Sequence, residues 1–249
     1  SVNTSEYRTP NVTTLNSMFK NSGITSATIS SFDASLVTDF DEMFAGCTSL
    51  TSIDAHAIKM QTNSTMKNMF SGCTGLVSLD LTGFATSNVT SMEGMFSGCT
   101  SLTTLNFPES TFLTVNTVTF EKMFYNCTSL QTLDLKNITS DKVTNFSNMF
   151  ANTAIVTLDL SKFDTSVATN MNQMFASMTS LTTVSVSNLW TTKNVTTSTN
   201  MFSGDINIVG GCGTTYDSTK IDDTYAHIDI LPATPGYFTA CDEQYIGVY

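Results

Sequence analysis

Apolar and polar positions along this chain alternate between two regimes, and the switch recurs at near-constant intervals. Eight Met-Phe pairs mark it: Met18-Phe19, Met43-Phe44, Met69-Phe70, Met95-Phe96, Met123-Phe124, Met149-Phe150, Met174-Phe175 and Met201-Phe202. Successive gaps are 25, 26, 26, 28, 26, 25 and 27 residues. A fixed period in this range marks stacked repeats, each burying its apolar side against its neighbours. Take each phenylalanine as position 0. Position −4 holds Leu15, Phe40, Met66, Met92, Phe120, Phe146 or Met171, and Ser198 breaks the row. Apolar residues at −4, −1 and 0 have helical spacing. The spacing predicts one short helix per repeat, Ser91–Ser97 for example, held by packing rather than by its own propensity. Thr38, Thr90 and Thr144 just before it suit an N-cap. A large apolar residue sits at −12 (Tyr7, Phe32, Ile58, Phe84, Phe112, Ile138, Phe163, Trp190). Valine recurs at −7 (Val12, Val37, Val89, Val143, Val195).

After the phenylalanine the period becomes extended. Leu76…Leu79-Asp80-Leu81, Leu102…Leu105-Asn106-Phe107 and Leu130…Leu133-Asp134-Leu135 share the form LxxLxL. Leu50…Ile53…Ala55, Ile155…Leu158…Leu160 and Leu181…Val184…Val186 follow it. The last two apolar residues flank a polar one, as on a strand with one buried face. Stacked repeats would pair these strands in parallel. The fourth inter-repeat gap carries Pro108-Glu109-Ser110-Thr111, and Pro108 should end its strand and push out a loop. Beyond Phe202 the pattern decays, and residues 204–249 read as a cap over the last core layer.

LxxLxL is the leucine-rich-repeat hallmark. The unit LVSLDLTGFATSNVTSMEGMFSGCTSL resembles the BspA-type leucine-rich repeats of bacterial surface proteins, the DUF285 family. The tail IVGGCGTTYDSTKIDDTYAHIDILPATPGYFT resembles the closing segment of such arrays. With the repeat pattern, this gives an α/β expectation: a right-handed solenoid of about eight coils over residues 1–203, each with one parallel strand and one short helix. A cap over 204–249 completes it. The resemblance also implies a secreted or wall-attached protein with adhesion or host-protein binding. The family shares a scaffold, and function sits in its variable exposed residues.

Charged residues make up 12% of the chain, and Ser, Thr and Asn fill the polar positions instead. The net charge is −11, and the ten basic residues are scattered. Such a surface does not neutralise a phosphate backbone, so nucleic acid is not an expected partner. No apolar run reaches the length of a membrane span. The chain opens without Met and partway through a repeat, which reads as a fragment of a longer precursor.

Cys47, Cys73, Cys99 and Cys127 share position +3. A straight column of thiols does not converge on a metal. Bridges between adjacent coils would be strained. A ladder of buried, reduced cysteines is the expected reading. Cys212 and Cys241 lie outside the repeat, and a bridge between them stays open. Asp54, Asp80, Asp134 and Asp159, with Asn106, occupy one outward strand position. They could hold Ca²⁺ or form a solvated polar row, and the second is preferred. His56 and His227 are the only histidines, and no catalytic motif is present. No enzyme activity and no cofactor or metal is expected. Eight N-x-S/T sequons occur, at Asn3, Asn11, Asn63, Asn88, Asn126, Asn137, Asn145 and Asn194, mostly as by-products of the recurring NVT turn.

The expected function is cell-surface interaction with an extracellular protein or glycan. Its expected site is the strand face: Thr51, Ser52, Asp54, Ser78, Asp80, Thr103, Thr104, Asn106, Gln131, Thr132, Asp134, Thr182 and Thr183. The alternative is a spacer that holds another domain away from a cell wall. An ice-binding face is disfavoured, because the Thr pairs are adjacent rather than in Thr-x-Thr rows.

Overall fold

The structure, a computed structural model, describes residues 1–3, 10–30, 33–54, 58–59, 64–82, 84–230 and 233–240. Tyr7, Phe32, Ala55, His56, Asn63 and Cys241 lie outside the described residues. Among the described residues twelve short strands occur: β1 (Val2–Asn3), β2 (Ser26–Thr28), β3 (Ser52–Asp54), β4 (Ile58–Lys59), β5 (Ser64–Thr65), β6 (Ser78–Asp80), β7 (Phe84–Ala85), β8 (Val89–Ser91), β9 (Thr104–Asn106), β10 (Thr157–Asp159), β11 (Thr183–Val186) and β12 (Phe238–Ala240). All their pairings are parallel: β1-β2-β3, β6-β9, β10-β11-β12, β4-β7 and β5-β8. The result is a parallel β-solenoid of about 6 turns.

The short helix expected in each coil does not form. Among the described residues there is no α-helix, and one 3-10 turn spans Asp223–Tyr225. The reason is the backbone at −2 and +2. Ser17, Glu42, Asn68, Gly94, Lys122, Asn148, Gln173 and Asn200 all have positive φ at −2. Asn21, Gly46, Gly72, Gly98, Asn126, Asn152, Ser177 and Gly204 have it at +2. A left-handed residue every fourth position prevents a continuous right-handed helix.

The N–H groups divide into two sets instead. Those at −1, +1 and +3 close tight turns, as in Met43 to Phe40 (3.3 Å), Ala45 to Glu42 (3.0 Å) and Cys47 to Phe44 (3.1 Å). Those at −4, −2, 0 and +2 donate to the next coil. Phe120 N–H meets Asn145 C=O (3.0 Å), Lys122 meets Ser147 (2.9 Å), Phe124 meets Met149 (3.0 Å) and Asn126 meets Ala151 (3.0 Å). Side chains at −4, −1 and 0 still point inward, so the apolar spacing survives without its helix. The caps also move by one residue. Thr90 and Thr144 donate their hydroxyls to the preceding coil, at Ser64 C=O (3.2 Å) and Val118 C=O (3.4 Å). Position −5 takes the capping role: Asp39, Asn145 and Asn170 accept the N–H two residues on, at 2.9, 3.0 and 3.0 Å. Thr119 does the same for Glu121 (3.1 Å).

The phenylalanines form one stack, with centroids 5.3 to 6.0 Å apart and rings within 19° of parallel. Phe44, Phe70, Phe96, Phe124, Phe150 and Phe175 have a stacked ring on each side. The outer two coils are incomplete, and the expected eight coils fall to about 6 turns. At one end Phe19 is half-buried and Met18 is 45% exposed. At the other, Phe202 donates its N–H to Ile221 C=O (3.0 Å), outside the repeat.

Cys47, Cys73, Cys99 and Cys127 are buried and unbridged. Each thiol donates to the phenylalanine carbonyl one coil back: Phe19 (2.9 Å), then Phe44, Phe70 and Phe96 (3.1 Å each). Burial pushes the Cys127 thiol up to about 12. Burial, then the neighbouring thiols, raises Cys73 and Cys99 as well. At the same rung Thr153 bonds within its own coil, to Phe150 C=O (2.9 Å). Asp205 takes that place in the last coil and is fully buried.

Beyond it, residues 206–230 and 233–240 fold against the end of the stack. Tyr237 and Phe238 meet Phe202 edge-on at 5.1 and 5.8 Å, and β12 extends the β10-β11 sheet. Asp229 ties this segment together. It accepts from Cys212 N–H (2.8 Å), Thr214 N–H (3.0 Å), Thr214 Oγ1 (2.7 Å) and Gly236 N–H (3.4 Å). Burial alone would raise its pKa, but these bonds hold it below the usual carboxylate range.

Candidate interaction surface

In β3, β6, β9 and β10 the middle residue is buried and its two neighbours are exposed. Each strand therefore presents two side chains outward, and parallel pairing lines them up. Ser78 lies beside Thr104, Asp80 beside Asn106, Thr157 beside Thr183 and Asp159 beside Ser185. Thr51, Ser52, Asp54, Ser78, Asp80, Thr103, Thr104, Asn106, Gln131, Thr132 and Asp134 are exposed, while Thr182 and Thr183 are half-buried. The row is interrupted, since β3 pairs with β2 and not with β6.

Part of the row serves the solenoid itself. The hydroxyls of Thr51, Thr103 and Thr182 donate to carbonyls of the preceding coil, at Thr25 (3.0 Å), Val77 (3.2 Å) and Val156 (3.0 Å). Asp80 and Asp159 end their strands, and Asp134 sits at the matching position of a segment without one. Asp80, Asp134 and Asp159 accept the N–H two residues on, at 2.9, 3.0 and 2.9 Å. These are Asx-turns, a structural use of the carboxylate that needs no cation. Lys136 also pairs with Asp134 at 2.9 Å. Its N–H and ammonium hold that carboxyl below the usual range. Among the described residues no three His, Cys, Asp or Glu side chains are placed to share a metal ion.

The second break is the most distinctive feature of this face. Residues 131–135, expected as a strand, carry none. Among the described residues one backbone bond ties them to the strands on either side, Val156 N–H to Gln131 C=O at 3.3 Å. Between β9 and β10 the ribbon opens into a groove of about 400 Å³. Leu105 and Leu133 form its floor, and Thr104, Thr132, Asp134, Thr157 and Asp159 its walls. Thr157 and Asp159 were not among the expected site residues. The signal for them was present, because IVTLDL has the same strand form as the other copies.

Exposed polar pairs on parallel strands over a stacked core define a repeat solenoid of the leucine-rich-repeat class. The chain belongs to the DUF285 family, described as "Mycoplasma protein of unknown function", whose model matches residues 1–107 and 104–210. It is similar to a leucine-rich repeat protein from Bacteroides ovatus ATCC 8483, known from a crystal structure at 1.19 Å resolution. That likeness has 15% identity and a TM-score of 0.43, covering 78% of this chain and 57% of that one. No curated protein matches the chain. No helix among the described residues is long and apolar enough to cross a membrane.

Proposed function

We propose that the chain is a non-catalytic protein-interaction module that engages an extracellular partner through its strand face. The observation that carries this reading is the groove between β9 and β10. Its leucine floor lies within a hydroxyl and carboxylate rim, between strands β9 and β10, each of which is paired in register with a strand of a neighbouring coil. Rigid presentation lowers the ordering cost of binding a large partner. Among the described residues no aromatic anchor stands on this face, and hot spots favour Trp, Tyr and Arg. The contact is therefore weak or multivalent, and adhesion through many copies fits it. A surface or secreted location belongs to the same proposal.

The test is capture of purified extracellular-matrix proteins by immobilised chain, with Thr103, Thr104, Gln131 and Thr132 replaced by Lys in a second sample. The replacement should abolish capture and lower the thermal transition only by the loss of the Thr103 hydroxyl bond to Val77 C=O. Few charges take part, so raised salt should weaken wild-type capture only modestly. Intact capture by the lysine variant would remove the strand face from consideration.

A spacer role has one observation in its favour. The outward hydroxyls of Thr51, Thr103 and Thr182 already bond the neighbouring coil. An array shortened by whole coils that still supports adhesion would favour it.

A further inference from the structure

The chain has one tryptophan, Trp190, and the solenoid does not use all of it. It stands where the last repeat meets the C-terminal segment. Its indole N–H donates to Ala226 C=O at 2.9 Å, and its ring meets Phe238 edge-on at 5.1 Å. The residue is 9% exposed, and that part lines a cleft of about 420 Å³. Because the N–H is bonded, the indole offers the cleft only ring carbon. Val186 and Ala226 continue the apolar floor, and Thr191, Thr192 and His227 stand around it.

Three features narrow the occupant. The cleft is within the range of about 300–1,000 Å³ that takes small ligands, and it lies at a junction between structural units, where such sites concentrate. Among the described residues no Asp, Glu, Lys or Arg lines it, so no formal charge there calls for a counter-charge. Its polar groups suit a ligand that both donates and accepts. Thr191 Oγ1 accepts Lys193 N–H (3.2 Å), which leaves its proton to give. His227 contacts Ile228 C=O through Nδ1 (3.0 Å), a contact that needs the proton on Nδ1 and leaves Nε2 as an acceptor. An apolar floor that includes the exposed part of the Trp190 ring, with donors and acceptors around it and no charge among the described residues, matches a pyranose, with its apolar C–H face and equatorial hydroxyls.

We propose that this cleft is a binding site for a neutral sugar ring, separate from the strand face. The site is independent of the protein-interaction reading, and its residues are not touched by the strand-face variant.

Trp190 reports on its own cleft. Its fluorescence is followed while methyl glycosides of glucose, galactose and N-acetylglucosamine are added, with free N-acetyltryptophanamide as the bulk control. At least one glycoside should give a saturable change that the control lacks. Glucuronate should bind at least tenfold more weakly than the matching neutral sugar. Thr192→Val removes one hydroxyl at constant shape and should weaken binding about 5- to 10-fold, the worth of one hydrogen bond. Thr192→Arg places bulk and charge at the mouth and should abolish it, with the thermal transition retained. Absence of any saturable change overturns the proposal. So does an undiminished response in the folded Thr192→Arg variant, or equal binding of glucuronate.

Discussion

Asp205 stands on the cysteine rung of the last coil, fully buried, with Oδ1 accepting Met178 N–H at 2.8 Å. Its Oδ2 is buried and has no hydrogen-bond partner among the described residues. Burial pushes the carboxyl up to about 8, against a slight lowering by the Met178 bond. The folded chain therefore holds a proton that the unfolded chain releases above 3.8. The contribution is fully present below 3.8 and is lost as pH rises toward 8. Asp205→Asn keeps an oxygen for Met178 N–H and removes the titration. Each tenfold fall in proton concentration across this window costs the wild type about 1.4 kcal/mol. Between about pH 5.5 and pH 8 the upper bound is ~3 kcal/mol, and relaxation around the ionised group brings it to about 1.5–3 kcal/mol. Urea unfolding followed by Trp190 fluorescence reads the end of the stack directly, since Trp190 bonds Ala226 there. The variant should gain on the wild type steadily as pH rises. A difference that does not change with pH, or a variant less stable near pH 8, would refute the buried protonated carboxyl.

Phe96→Ala and Phe124→Ala each remove a ring stacked on both sides, and should cost roughly 3–5 kcal/mol in denaturant melts; a loss below about 1 kcal/mol would show that the stack does not carry the core. Cys47, Cys73, Cys99 and Cys127 should label with a thiol reagent only after denaturant is added, and rapid native labelling mapped to these peptides would contradict their burial. Gly98 has φ +72° in a column above Gly72, whereas Gly23 has nothing within 4 Å of an added Cβ. Gly98→Ala should therefore cost about 1–2 kcal/mol of left-handed strain and Gly23→Ala almost nothing, and equal effects in the same melts would remove backbone conformation as the cause.

The inward side chains were legible in the sequence, and the backbone that carries them was not. Positions −4, −1 and 0 read as one helical face, and in the central coils they are buried. The contrary signal lay at −2 and +2. Gly46, Gly72, Gly98, Asn126 and Asn152 are the residue types that tolerate positive φ. Glu42, Lys122 and Gln173 share that conformation at −2 and obscured it, because they are ordinary helix formers. The exposed face was legible from alternation alone. The groove was not, because LQTLDL at 130–135 is as good a strand pattern as LVSLDL at 76–81. Whether such a segment pairs depends on spacing between coils, which its own residues do not encode.

The thiol-to-carbonyl bonds of the core each join residues 28 to 31 apart in sequence, one coil to the next. The stacked rings join residues 25 to 28 apart, again one coil to the next. Under tension applied at its two ends, the β11-β12 pairing, which joins residues 54 apart, clamps the C-terminal end, and the other coils among the described residues are held only to their neighbours. The array should therefore peel from its N-terminal end, one coil at a time. Each release frees about 25 residues of chain, which at ~3.5 Å per residue lengthens the molecule by roughly 90 Å. An array of this kind at a cell surface would extend in steps and re-form when slack returns, a shock absorber built from repetition.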